Sequence, residues 1–237
     1  MKINKLLLSV TLFMCFVLPA FSGQFAFVDL KPNANSKIIN TSWWTGNAGG
    51  SDLEELYEKA KNGAEFEGPG GEKVPFKVDN ACLVVFGTNS AVNPKKIEGI
   101  KVGMKAESIY FLHMTGWEQQ GMPSYKFVMN YDDGSKQELS MQSHINSDDW
   151  CHIPAQLSDK NSKQIWIESG VTCGQVSVIA TKWDNPSKAR TIKTIDFVSL
   201  ETAAVPGLFA ITLGGASAAV LPLNKLPIEW ASIKTNY

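Results

Sequence analysis

The chain has 237 residues with 22 basic against 23 acidic side chains and 44% hydrophobic residues, enough apolar content to build a sizeable core. A near-balanced charge excludes the basic surface that nucleic-acid phosphates call for, so no nucleic-acid partner is expected. Four cysteines with neither a C-x-x-C pair nor a Cys/His ladder exclude the common structural zinc patterns.

Lys2 and Lys5 precede an apolar run over residues 6–18, and Ala20-Phe21-Ser22 supplies small residues for a signal peptidase. Residues 1–22 therefore read as a signal peptide and the protein as secreted, periplasmic or extracellular. The apolar run is too short to anchor in a bilayer, and no cysteine stands at the cleavage site to take a lipid, so no membrane insertion is expected. Loss of Lys2 and Lys5 moves the formal charge from −1 to −3. Three cysteines remain, Cys82, Cys151 and Cys173, and an oxidising compartment then allows one internal disulfide. Cys82 opens the apolar run 82–86 and reads as a small buried hydrophobe, so the expected bridge is Cys151 with Cys173.

Residues 25–30 read as a strand, and the Asn-rich residues 33–40 as a loop whose oxygens could hold a structural calcium ion, although no EF-hand or RTX repeat is present. No other cofactor is indicated, and the metal content is left open. One helix is expected over residues 51–63: Ser51 as N-cap, Glu54 closing a capping box, and Leu53, Leu56, Tyr57 and Ala60 at helical spacing before Gly63. After the turn cluster Gly68-Pro69-Gly70-Gly71, strands are expected over 74–78, 82–86, 97–102 and 108–113.

Residues 108–152 form the centre of the pattern. Ile109-Tyr110-Phe111-Leu112-His113 is apolar on both phases and predicts a strand covered on both faces. Tyr125, Phe127, Met129 and Tyr131 share one face of the next strand, and Asp133-Gly134 predicts a two-residue turn into residues 135–141, because Asp and Gly tolerate the positive φ such turns need. Further strands are expected over 164–168, 175–183, 191–200 and 208–213. Many short strands between turn signals specify an antiparallel sandwich or barrel with one short inserted helix. Residues 23–215 read as one β domain, with 216–237 as a tail that packs on it or stays mobile.

Seven tryptophans are many for this length, and Trp43, Trp44, Trp117, Trp150 and Trp183 fall in expected loops. An indole beside carboxylates and amides suits a sugar ring, whose C–H face stacks while its hydroxyls take hydrogen bonds. The same residues would serve equally to plug the ends of a sandwich. His113 is either a satisfied core histidine or a hydrogen-bond donor at a strand end, and His152 either a sugar ligand or a cover for the disulfide. Asp148 and Asp149 are adjacent and so point to opposite faces of an extended chain, which is poor geometry for an acid/base pair. A partner carboxylate would come from Asp29, Asp52, Glu118 or Asp184. No catalytic residue is named.

Phe27-Val28-Asp29-Leu30, Val74-Pro75-Phe76-Lys77-Val78, Ile109 to His113 with Trp117, Tyr131-Asp132-Asp133-Gly134-Ser135, Asp149-Trp150 and Trp183-Asp184-Asn185-Pro186 together resemble secreted bacterial galactose-binding-domain-like jelly rolls. The resemblance implies a sandwich of roughly eight to nine strands, of the kind joined to glycoside hydrolases as carbohydrate-binding modules. This chain departs from that pattern in carrying no catalytic domain and in its inserted helix. The expected function is binding of a polysaccharide or glycan at one end of the sandwich through Trp44, His113, Trp117, Asp149, Trp150, Trp183 and Asn185. A hydrolase or lyase using paired carboxylates and a structural or adhesion component of a surface assembly stand as alternatives.

Overall fold

The computed structural model describes residues 25–50 and 52–218. The expected signal peptide, Ser51 and the tail beyond Ala218 lie outside the described residues.

The N-terminal third supplies β1 (Phe25–Phe27), a small hairpin of β2 (Thr41–Ser42) and β3 (Asn47–Ala48), α1 (Glu54–Ala60), a second hairpin of β4 (Ala64–Glu67) and β5 (Lys73–Phe76), and β6 (Leu83–Val84). The long strands follow: β7 (Lys96–Lys105), β8 (Ser108–Gly116), β9 (Pro123–Tyr131), β10 (Lys136–Gln142), β11 (Ser162–Gly170), β12 (Gly174–Asp184), β13 (Ile192–Ser199), β14 (Val205–Gly214) and the short β15 (Ser217–Ala218). They form two antiparallel sheets. One runs β1-β14-β8-β12-β11 with β6 also on β14, and the other β10-β9-β13-β7-β15. Among the described strands of these two sheets, only β9–β10 and β11–β12 stay within a sheet as hairpins, while β7–β8, β8–β9, β10–β11, β12–β13, β13–β14 and β14–β15 cross between sheets, which places the two faces against each other.

Alternation explains the inner core. Tyr125, Phe127, Met129 and Tyr131 point inward from β9 to meet Ile109, Phe111, Ile195, Phe197 and Leu208. Phe111 and Phe127 stack across the two sheets with centroids 4.0 Å apart, and Phe197 lies 5.2 Å from Phe127. Each such side chain contributes about 1.5–3 kcal/mol by leaving water.

A second core fills the opposite face of the β8 sheet. Tyr110, Leu112 and Met114 of β8 and Val176, Val178 and Ala180 of β12 are covered there by Leu56 and Ala60 of α1, Phe66 and Phe76 of the second hairpin, and Trp43. All nine residues of β8 and all ten of β14 are consequently buried. That is the physical meaning of an apolar run with no alternation.

Two local expectations change. The helix begins after a Leu53 N-cap that makes no side-chain capping bond. Its first amides are instead taken by Glu168 of β11, which accepts from Glu55 N–H (3.1 Å) and Leu56 N–H (2.8 Å). A carboxylate from another strand thus supplies the anion that a local cap would have given. Asp52 turns away to accept from the Val171 and Thr172 amides. In the β9–β10 hairpin only Gly134 has positive φ (85°), and the turn closes by Gly134 N–H donating to Tyr131 O (3.2 Å). Asp133 sits instead on the near side of the glycine, its carboxylate accepting from Ser135 N–H and pairing with Arg190.

Candidate functional site

The segment between β10 and β11 folds back across the end of the sandwich where β8 finishes. Trp150 N–H donates to Thr115 O (2.9 Å), Ser177 N–H donates to Trp150 O (2.9 Å), and the Cys151–Cys173 disulfide ties the segment to the turn before β12. The two Cα atoms are 5.8 Å apart across a separation of 22 residues. Cys82 is a buried free thiol beside Ser36, its pKa pushed up to about 12 by burial, which leaves it unreactive.

The four tryptophans expected to bind ligand separate. Trp150 is buried at 4% exposure and meets Trp43 (5.3 Å) and Trp44 (5.1 Å) edge to face, so it is a core residue supporting the surface above it. Trp44 is half-buried and leans on Trp117 at 6.4 Å. Trp117 is 45% exposed and holds its backbone at φ 56°, in the left-handed region that a bulky residue rarely adopts. Trp183 lies elsewhere. It pairs with Ile109 at the start of β8, whereas Trp117 follows the end of that strand, about 26 Å away at about 3.3 Å per residue.

Asn185 belongs with Trp183 at that far end and is corrected as a ligand residue. It is 1% exposed, with its Oδ1 accepting from Tyr131 OH (2.6 Å) and its amide donating to Ala106 O (2.8 Å), so both functions are spent on holding the turn. His113 is likewise interior. Its Nδ1 bonds Tyr125 OH (2.6 Å) and its Nε2 bonds Thr181 Oγ1 (2.8 Å), and burial drives its pKa down to about 3. It is the satisfied core histidine of the two expectations, and it cannot touch a ligand at the surface.

The interior bonds nevertheless reach the surface. Tyr125 OH lies 3.3 Å from Ser147 Oγ, which donates to Glu118 Oε1 (2.6 Å), and Ser124 Oγ donates to the same oxygen (3.1 Å). Glu118 directly follows Trp117, its Oε2 has no hydrogen-bond partner among the described residues, and burial raises its pKa. A shallow pocket of about 110 Å³ is lined by Trp117, Asp149, Trp150, Cys151 and Thr172. Asp149 accepts from Cys151 N–H (3.0 Å) and stays partly exposed at its rim.

A larger hollow of about 490 Å³ opens in the Asn-rich first loop, among Asn35, Ser36, Lys37, Asn40 and Asn80. The Asn35 and Asn80 oxygens there accept from the Val84, Ile38 and Ile39 amides, so they pin the loop, and none of the lining residues is aromatic. Volume favours this hollow, but the aromatic surface and carboxylates at Trp117 carry more recognisable chemistry.

Two histidines that spacing did not single out as a pair converge on one carboxylate. Asp148 Oδ1 lies 2.8 Å from His152 Nδ1 and 3.5 Å from His144 Nε2. The hydrogen bond to Asp148 raises the pKa of His152. The four-residue steps from 144 to 148 to 152 are visible in the sequence, but without a helix they carry no signal until the loop is folded.

Comparison with protein-family models, curated proteins and solved structures finds no match. Among the described residues no helix is long and apolar enough to cross a membrane.

Proposed function

We propose that this is a secreted, non-catalytic glycan-binding protein of the galactose-binding-like jelly-roll type, which stacks a sugar ring on Trp117 and holds its hydroxyls with Asp149. The observation that carries this reading is Trp117 itself: a large apolar ring kept 45% exposed at an unfavourable φ, braced by Trp44, which in turn rests on Trp150. Backbone strain of this kind persists where surrounding structure enforces it, and it clusters at binding sites. The disulfide accords with export to an oxidising compartment. A pocket of about 110 Å³ encloses less than one ring, so recognition is by a platform and affinity is modest, on the order of micromolar to millimolar.

Glu118 favours one second reading, hydrolysis or lyase chemistry, since a desolvated carboxyl with raised pKa is what a general acid requires. Both readings are tested by retention on a glycan array together with a reducing-end assay. Retention lost in Trp117→Ala, with no new reducing ends from the wild type, supports the binder. New ends or unsaturated products that disappear in Glu118→Gln support the enzyme, and absence of retention on every glycan defeats both in favour of a structural or adhesion role.

A further inference from the structure

We propose that His144, Asp148 and His152 form a binding site for a divalent transition-metal ion, Zn²⁺ foremost, with three protein ligands and at least one position left to solvent. The three donor atoms lie within 4.8 Å of one another. Tetrahedral zinc with bonds of about 2.0–2.1 Å places its donors about 3.3 Å apart, and the two separations to Asp148 Oδ1, 2.8 and 3.5 Å, bracket that spacing. Two imidazole nitrogens with one carboxylate oxygen select zinc and its neighbours over calcium or magnesium, which take oxygen ligands.

The surroundings are those of a held ligand set. Asp148 is fully buried, and its carboxylate is fixed by backbone donors: Asp149 N–H to Oδ1 (2.7 Å) and Gln156 N–H to Oδ2 (2.6 Å). Donors behind a ligating carboxylate orient it in this way in metal sites. Oδ1 accepts from the Asp149 amide and also faces a ring nitrogen of each histidine, three partners for a carboxylate oxygen that offers two lone pairs. A metal ion shared by the three side chains removes that crowding.

His144 is held in the left-handed region at φ 61°, which turns its side chain toward Asp148, and its carbonyl is fixed by Ser158 Oγ–H (3.0 Å). The neighbouring Cys151–Cys173 bridge restrains the loop one residue before His152. The chain has three histidines, and the two that are not sealed in the core meet on one oxygen. The side chain of His152 is 51% exposed and that of His144 20%, which leaves the outer side of the site open to water or an exogenous ligand.

The test is titration of untagged, chelator-stripped protein with Zn²⁺ by calorimetry and with Co²⁺ by visible absorption, using Ca²⁺ as control. One Zn²⁺ per chain, a Co²⁺ ligand-field band displaced by Zn²⁺, and binding at least tenfold weaker in both His144→Ala and His152→Ala are expected. His152→Gln, at the more exposed position, carries the test if His144→Ala does not fold. No saturable binding, or undiminished binding in the folded histidine variants, overturns the proposal. The readout is independent of glycan retention, so this inference and the proposed function stand or fall separately.

Discussion

The imidazole of His113 and the phenol of Tyr125 are joined by a 2.6 Å hydrogen bond in the interior of the sandwich, bridging the first sheet to the second. With Thr181 on its other nitrogen, His113 has both ring positions filled by neutral partners and no carboxylate to receive a charge. Its pKa of about 3 has a definite linkage consequence. Above about pH 6.5 the ring is neutral in both folded and unfolded chains and contributes no pH dependence. Below that, only the unfolded chain takes the proton, so stability falls by about 1.4 kcal/mol per pH unit until the folded pKa is reached. Nitrogen shifts of His113 should remain those of neutral imidazole at pH 5, and an imidazolium signal in folded protein there would refute the assignment.

Trp117 and Trp150 should respond oppositely to removal. Trp150→Ala opens a cavity against Trp43 and Trp44 and should cost about 3–5 kcal/mol in denaturant unfolding. Trp117→Ala removes a ring already half in solvent and relieves a positive φ only slightly, so its unfolding midpoint should change little while glycan retention is lost. Equal destabilisation by the two changes would show that Trp117 is structural.

Glu168 should be worth more to stability than its place on an edge strand suggests. Its carboxylate accepts from the Glu55 and Leu56 amides and from Trp166 Nε1–H, so Glu168→Ala leaves three donors without their acceptor. A loss of about 2–3 kcal/mol is expected, by the cost of unsatisfied buried donors. Faster amide exchange confined to α1 and β11 would locate it, and unchanged exchange there would contradict the capping role.

Reduction should release the loop that bears the site. Opening a ring of 22 residues removes about 3 kcal/mol by chain-entropy reasoning. Thiol labelling of native oxidised protein should find no reactive group, since Cys82 is buried, while reduced protein should label at Cys151 and Cys173. Labelling of Cys82 in the folded state would show that the β6 region opens.

The sandwich was legible because its signals are local. Alternation on β9, the unbroken apolar run of β8 and glycine-bearing turns each report on a few neighbouring residues. The disulfide followed from counting cysteines. What escaped depends on long-range placement. Glu168 replaces the expected Ser51 cap from more than a hundred residues away, and nothing near residue 168 announces it. Trp117 and Trp183 looked equivalent as loop tryptophans, yet they attach to opposite ends of one pair of strands, β8 and β12, whose antiparallel register only the folded sheet defines. Asn185 reads as an available amide until Tyr131 and Ala106 take both its groups. Glu118 was one of four carboxylates offered by spacing, and only its place beside Trp117 and Ser147, with Oε2 left without a hydrogen-bond partner among the described residues, separates it from the rest.

The pairing of β1 with β14 joins Phe25 to Gly214, and β14 also forms one flank of β8 while β12 forms the other. During synthesis, the strand at the centre of the first sheet therefore waits for partners made long after it, and the N-terminal segment waits longest. Such contacts between distant parts of a sequence make folding slow, since long loops must close before any pairing is rewarded. The β9–β10 and β11–β12 hairpins can pair as soon as they are made, but the first sheet closes only once β14 exists, so its order of assembly runs from the middle of the chain outward to both ends.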